Sequence, residues 1–290
     1  MTKNNRKTMK KSAITIIVSA LTVLASCGGK AEKEAAVMLD KAKEAYEDGS
    51  FSLAKNRIDS MKTMYPKAFK AREEGLKLMR LVEIGEQEKT IAFLDSIADI
   101  NDKAIAEILP DYKFSKDTAY EDIGTYSIKS QSIENNMYNS YIYARVDENG
   151  VMKLTSAYAG KRPIEHYAVR ITAPDGSFAE TPQSTDTFRD ENAGTVTERT
   201  DYTVGADNDV AAFIDLNKDK NLKAEYIGKG NTVYYMSRRD KQAVSDIYRL
   251  HKLLDLRTQI NRQRKEASNK IEFFRRKAEE SMRNEGNAGQ

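Results

Sequence analysis

Apolar positions divide the chain into four regions. From Ala13 to Ser26 they run almost unbroken for about 14 residues behind Lys3, Arg6, Lys7, Lys10 and Lys11. A bilayer-spanning helix needs roughly 20 apolar residues, so this is the hydrophobic stretch of a signal peptide rather than a span. Residues 31 to about 110 place apolar side chains at three- and four-residue spacing among Ala, Lys, Glu, Leu and Met, the pattern of helix. Asp48-Gly49-Ser50 breaks it: Gly49 suits a left-handed helix end and Ser50 can cap the next helix. Pro66 permits a third helix from about Lys67 to Leu109, with a heptad at Ile84, Ile91, Leu94, Ala98, Asn101, Ile105 and Ile108, and Pro110 stops it.

Between 120 and 236 the period drops to two. Ile142, Ala144 and Val146 alternate with Tyr141, Tyr143 and Arg145, and Tyr167, Val169 and Ile171 with His166, Ala168 and Arg170. Turn signals such as Asp147-Glu148-Asn149-Gly150 and Pro174-Asp175-Gly176 separate roughly seven to nine short strands. The polar stretch Thr181 to Ala206 reads as a mobile connection. From Asp240 to about Arg283 the helical spacing returns: Val244, Ile247 and Leu250, then Leu253, Leu256, Ile260, Gln263, Ala267, Ile271, Phe274 and Ala278.

The expected fold is α+β. A signal peptide (1–26) precedes a helical hairpin and long helix (27–115). An antiparallel β-sandwich or partly open barrel (116–238) follows, then a long C-terminal helix (239–283) and a disordered tail (284–290). Residues 83–111 carry a net charge of −6 and residues 257–283 one of +5. Opposite charge favours pairing of the two seams, so the C-terminal helix should fold back on the N-terminal one, with Asn101 and Gln263 fixing the register.

Leu24-Ala25-Ser26-Cys27 closes the signal segment and holds the single Cys of the chain. It closely resembles the lipobox of bacterial lipoproteins, and the Lys- and Tyr-rich composition resembles those of the Bacteroides group. The resemblance implies acylation of the Cys27 thiol, cleavage before it and anchoring outside the cytoplasm, on the outer membrane. Gly28-Gly29-Lys30-Ala31-Glu32-Lys33-Glu34 spreads its acids among lysines, which leaves the periplasmic and surface faces both open. Ala42, Gly49, Phe51, Ala54, Ile58 and Pro66 resemble one tetratricopeptide repeat. A single copy does not imply the peptide groove of that family, which needs about three neighbours.

Lipidation also changes the charge. The whole chain is +3, but the five basic residues of the signal are removed, and the mature chain is −2. The basic balance therefore gives no argument for a nucleic-acid partner, and none is expected. One Cys, two His and no Trp exclude a disulfide scaffold and argue against a Cys/His metal site. Asp215-Leu216-Asn217-Lys218-Asp219 looks like the opening of a calcium loop, with Asp215, Asn217 and Asp219 as the weak metal candidates. Lys220 replaces the glycine and Tyr226 stands where the closing Glu belongs, so a polar turn between strands is the preferred reading. His166 and His251 are read as structural imidazoles, and Gly228-Lys229-Gly230-Asn231-Thr232 as a hairpin turn. The basic and aromatic run Phe273–Lys277, with Arg262, Arg264 and Lys265, reads as a helix face paired with the acidic helix, or in contact with anionic lipid. The many tyrosines of the β segment suit strand packing, or a platform for sugar rings. No catalytic set emerges, no cofactor is expected, and the chain is read as a non-enzyme. Its expected partners are the membrane through Cys27 and an envelope protein, with a glycan as the alternative.

Overall fold

The structure, a computed structural model, describes residues 29–132, 136 and 138–288. The signal peptide and Cys27 lie outside them. The chain is α+β, with N-terminal helices, two antiparallel sheets and a long C-terminal helix. The described residues divide into two compact units, one of those up to Asp95 together with those from Gln263 onward, and one of Ser96–Arg262.

The first unit is helical. Helix α1 (29–47) turns at Gly49, whose φ of 69° lies in the left-handed region that glycine adopts at little steric cost. Ser50 N–H donates back to Ala45 O at 2.8 Å, satisfying the end of α1. Helix α2 (Phe51–Met64) then packs Ala54, Ile58 and Met61 against Leu39, Ala42 and Val82. Val82 lies on α3 (Phe69–Ile108), which approaches α2 closely: a Cβ on Gly85 would lie 2.7 Å from the Phe51 ring, and one on Gly75 2.6 Å from Met61 Cε. In this unit α3 runs antiparallel to the last helix, α5 (Arg238–Ala288): Glu88 meets Arg275 at 3.0 Å and Asp95 meets Arg264 at 2.8 Å. Ala267 and Ile271 are buried, whereas Gln263 is exposed and fixes no register. The expected tail is also corrected: α5 continues through 284–288.

In the second unit the larger sheet has six strands: β1 (Lys113–Ser115), β2 (Thr125–Ser127), β3 (Tyr141–Asp147), β4 (Met152–Gly160), β7 (Thr187–Asn192) and β8 (Thr195–Thr203). Their order is β1-β2-β3-β4-β8-β7. The smaller sheet comprises β5 (Ala168–Thr172), β6 (Phe178–Glu180), β9 (Lys223–Ile227) and β10 (Thr232–Tyr235), in the order β10-β9-β5-β6. Ile142, Val146, Met152 and Leu154 of the large sheet share one core with Val169, Ile171, Ala224 and Tyr226 of the small one. Helix enters the same core, as Val210 and Ile214 of α4 (Val210–Leu216), and Val244, Ile247, Leu250 and Leu254 of α5. Helix α5 starts on a reciprocal cap: Asp240 N–H donates to Ser237 Oγ at 3.1 Å, and Ser237 Oγ–H donates to the Asp240 carboxylate at 2.6 Å. Asn101 on α3 donates to Leu253 O of α5 at 3.0 Å, the cross-helix role expected of it.

Two expectations fail here. Thr181–Ala206 is not a mobile connection, because it contains β7 and β8, and β8 sits between β4 and β7. The inward positions of β8 include Glu198 and Thr200, buried polar groups that an apolar alternation does not reveal. Of the turn assigned to 215–219, Asp215 and Leu216 belong to the short helix α4, and only 217–219 form the turn after it.

Candidate functional site

Two groupings of polar side chains stand out, both in the second unit. The first is buried. Ser156 Oγ lies 2.9 Å from His166 Nε2, His166 Nδ1 lies 3.2 Å from Glu198 Oε2, and Ser156 Oγ lies 3.2 Å from Tyr202 OH. The order of these contacts is that of a nucleophile, a base and an orienting carboxylate. Its setting is different. Ser156 has no exposed surface and His166 retains 2%, so no substrate carbonyl reaches the hydroxyl. The Tyr226 ring meets the imidazole edge-on at 5.3 Å.

The backbone explains why Glu198 sits there. Glu165 has φ 49°, a left-handed conformation for a non-glycine residue. That turn aims three successive N–H groups at one point: Ile164 N and Glu165 N donate to Glu198 Oε1 at 3.1 and 3.0 Å, and His166 N to Oε2 at 3.2 Å. Such a backbone nest holds an anion, and Glu198 supplies it. Arg189 adds an ion pair at 3.1 Å. Burial pushes the Glu198 carboxyl up, but the N–H groups of Glu165 and His166 and the imidazole outweigh it, so its pKa falls below the ordinary value. Burial pushes His166 down by more than the Glu198 carboxylate and the Ser156 carbonyl, both of which favour the charged ring, raise it. The pair is therefore a carboxylate facing a neutral imidazole, with Nδ1–H donating to Glu198 and Nε2 accepting from Ser156. It is a structural latch joining β4, β8 and the segment before β5.

The second grouping is open. The face of the large sheet turned away from the core carries Tyr143 and Arg145 on β3, Lys153 and Thr155 on β4, and Arg199 and Asp201 on β8, with Phe188 on β7 opposite Arg199. Residues of β3, β7 and β8, with β1 and β2, line a cavity of about 530 Å³, within the usual size range of small-molecule sites, roughly 300–1,000 Å³. Arg145 pairs with Asp201, and Lys153 approaches Asp186 at 3.2 Å and Asp201 at 3.8 Å. The Arg199 guanidinium lies over the Phe188 ring, 4.6 Å from its centroid. Ser115, Thr125, Ser127 and Ser132 also line the cavity.

The residues singled out in the sequence are not in this cavity, apart from Tyr143, Ala144 and Arg145 of the β3 alternation. Asp215, Asn217 and Asp219 do not converge: Asp215 accepts from Ser245 Oγ, Asn217 bonds back to Phe213 O at 2.9 Å, and Asp219 is exposed. Among the described residues no cluster of three or more His, Cys, Asp or Glu could hold a metal ion. His251 contacts Gly150 O at 2.6 Å and docks the β3–β4 turn on α5. Gly228–Asn231 joins β9 to β10, as read. Tyr141, Tyr158, Tyr202 and Tyr226 are buried and Tyr138 and Tyr235 exposed, so the tyrosines form no single platform. In the basic run Arg275 pairs with Glu88 and Lys277 with Glu280. Cys27 lies outside the described residues. Arg199 and Phe188 escaped the sequence reading because only the pairing of β7 with β8 brings them together. Compared with known proteins, the chain matches no family model, no curated protein and no solved structure.

Proposed function

We propose that the chain is a lipoprotein of the cell envelope, anchored to the outer membrane through acylated Cys27, which works as a protein-interaction or structural component without catalysis. The observation that carries this reading is Leu24-Ala25-Ser26-Cys27 at the end of the Ala13–Ser26 apolar stretch. One acyl chain binds a membrane only marginally, while two or more hold it firmly. Among the described residues no helix is long and apolar enough to cross a membrane, so the lipid would be the anchor. The Ser156–His166–Glu198 grouping supports a non-catalytic role, because its hydroxyl is sealed.

The test is the Cys27→Ser chain expressed in its native envelope. The wild-type N-terminal peptide should carry acyl groups by mass spectrometry and fractionate with the outer membrane, and the variant should lose both. An unacylated wild-type Cys27 would overturn the reading. Crosslinking of the tagged wild type should then recover a near-stoichiometric protein partner. A second reading, a saccharide-binding module, is favoured by one observation: the outer-face cavity combines four hydroxyl side chains with the exposed ring of Phe188.

A further inference from the structure

We infer that the outer-face cavity of the large sheet binds a carboxylate-bearing saccharide, and that Arg199 receives the carboxylate. This rests on the saccharide reading above and names the class of sugar.

Most of the charged groups in and beside the cavity already have partners. Asp201 is held by Arg145, and Lys153 lies between Asp186 and Asp201. Thr155 Oγ1 adds a donated hydrogen bond to Asp201 at 2.5 Å. Glu121, also at the cavity, accepts the Asp117 N–H at 2.9 Å. Lys113 and Glu121 of the same wall are exposed to solvent and balance in charge, which leaves Arg199 as the half-buried cation without a counter-charge. Among the described residues it forms no ion pair, and its Nε is sealed from solvent with no acceptor. It is half-buried, on a central strand, with the guanidinium laid on Phe188.

A buried or half-buried guanidinium normally finds a carboxylate or a carbonyl, because withdrawing its donors from water is costly. This one is oriented by an aromatic face instead, which fixes its plane while leaving its charge unmatched. A planar fork so held is suited to a planar carboxylate, which it can bind through two parallel hydrogen bonds. The rest of the wall defines the remainder of the ligand. Ser115, Thr125 and Ser127 offer hydroxyls that both donate and accept, the match for a polyol. Phe188, 54% exposed, offers an apolar surface for the C–H face of a sugar ring. A carboxylate next to ring hydroxyls is the chemistry of a uronic acid.

The test uses the full chain in detergent, titrated by calorimetry with a trisaccharide of galacturonic acid and with its neutral galactose counterpart. The acidic sugar should bind saturably, and the neutral one about tenfold or more weakly. Arg199→Gln should weaken the acidic sugar by about ten- to a hundredfold, the range for a hydrogen bond to a charged group, and leave the neutral one unchanged. Arg199→Lys should fall between, since it keeps the charge and loses the fork, and it carries the test if Arg199→Gln does not fold. Arg170→Gln, which removes the Arg lying over Phe178 on the small sheet, should have no effect. Equal affinity for the two sugars, or binding unchanged in both Arg199 variants, overturns the role of Arg199 and leaves the saccharide reading standing. Binding of neither sugar overturns both. An acidic peptide that binds as tightly as the galacturonate overturns the saccharide in favour of a protein ligand.

Discussion

The His166–Glu198 pair sets how the second unit responds to acid. His166 is held below its ordinary pKa, so the folded imidazole is neutral at pH values where the unfolded one already takes up a proton. The unfolded state then binds more protons, and stability falls as pH drops. The contribution is whole above about pH 6.5 and is lost as pH falls from there toward the folded pKa. Glu198 acts in the same direction at lower pH: its depressed pKa stabilises the fold above about 4.5, and that share is lost as pH falls through the folded value. The groups facing the imidazole are Glu198, Ser156 and Tyr226, with Tyr202 and Arg189 beyond them. Melting followed by circular dichroism from pH 8 to 4 should show a falling melting temperature below about 6.5, and His166→Gln should flatten the first part of that fall. An identical slope in the variant would show that the latch is not the source. Glu198→Ala leaves three backbone donors and the His166 Nδ1–H unmatched, and should cost about 3 kcal/mol in a denaturant titration.

At the scale of elements, the pairing of α3 with α5 in the first unit is apolar at its centre and ionic at its margin. Leu94, Ala267 and Ile271 are buried, and Glu88–Arg275 and Asp95–Arg264 lie outside them. Exposed pairs of this kind contribute little singly, about 0.2–1 kcal/mol. Reversing both arginines, Arg264→Glu with Arg275→Glu, replaces attraction by repulsion and should destabilise by about 1–2 kcal/mol. Adding Glu88→Lys and Asp95→Lys should restore most of the loss, which a general helix defect would not allow. This pairing was legible because charge sign and heptad spacing both survive in the sequence. The strand pair β7–β8 was not. Its buried residues Glu198 and Thr200 are polar, and their partners come from distant segments: His166 O accepts from Thr200 at 3.1 Å, and Ile164 N–H donates to Glu198. Helix α4 was missed for a different reason, since its seven residues are too few to establish a helical period. The open cavity shares the β7–β8 difficulty, because cross-strand register decides which side chains meet on a sheet face.

For the whole molecule, the boundary between helix and sheet is not the boundary between cores. The pattern of periodicity divides the chain at 115 and 238, where helix gives way to strand and strand to helix. The core that holds the two sheets runs past both points. Ile105, Ile108 and Tyr112 on one side, and Val244, Ile247, Leu250 and Leu254 on the other, belong to the same cluster as Ile142 and Ile171. Every buried member of that cluster falls within Ser96–Arg262, and every buried member of the helical cluster that contains Ala42 and Val82 falls within Met1–Asp95. A fragment of residues 96–262 should therefore fold alone, with a cooperative thermal transition and dispersed amide resonances. A fragment of residues 116–238 keeps all the strands except β1 and loses those seven side chains. Deleting one large buried side chain costs about 2–5 kcal/mol, and a domain's entire stability is about 5–15 kcal/mol. The shorter fragment should have no cooperative transition. If it melted cooperatively at the temperature of the longer one, the helices would be accessories to a self-sufficient sheet core rather than part of it.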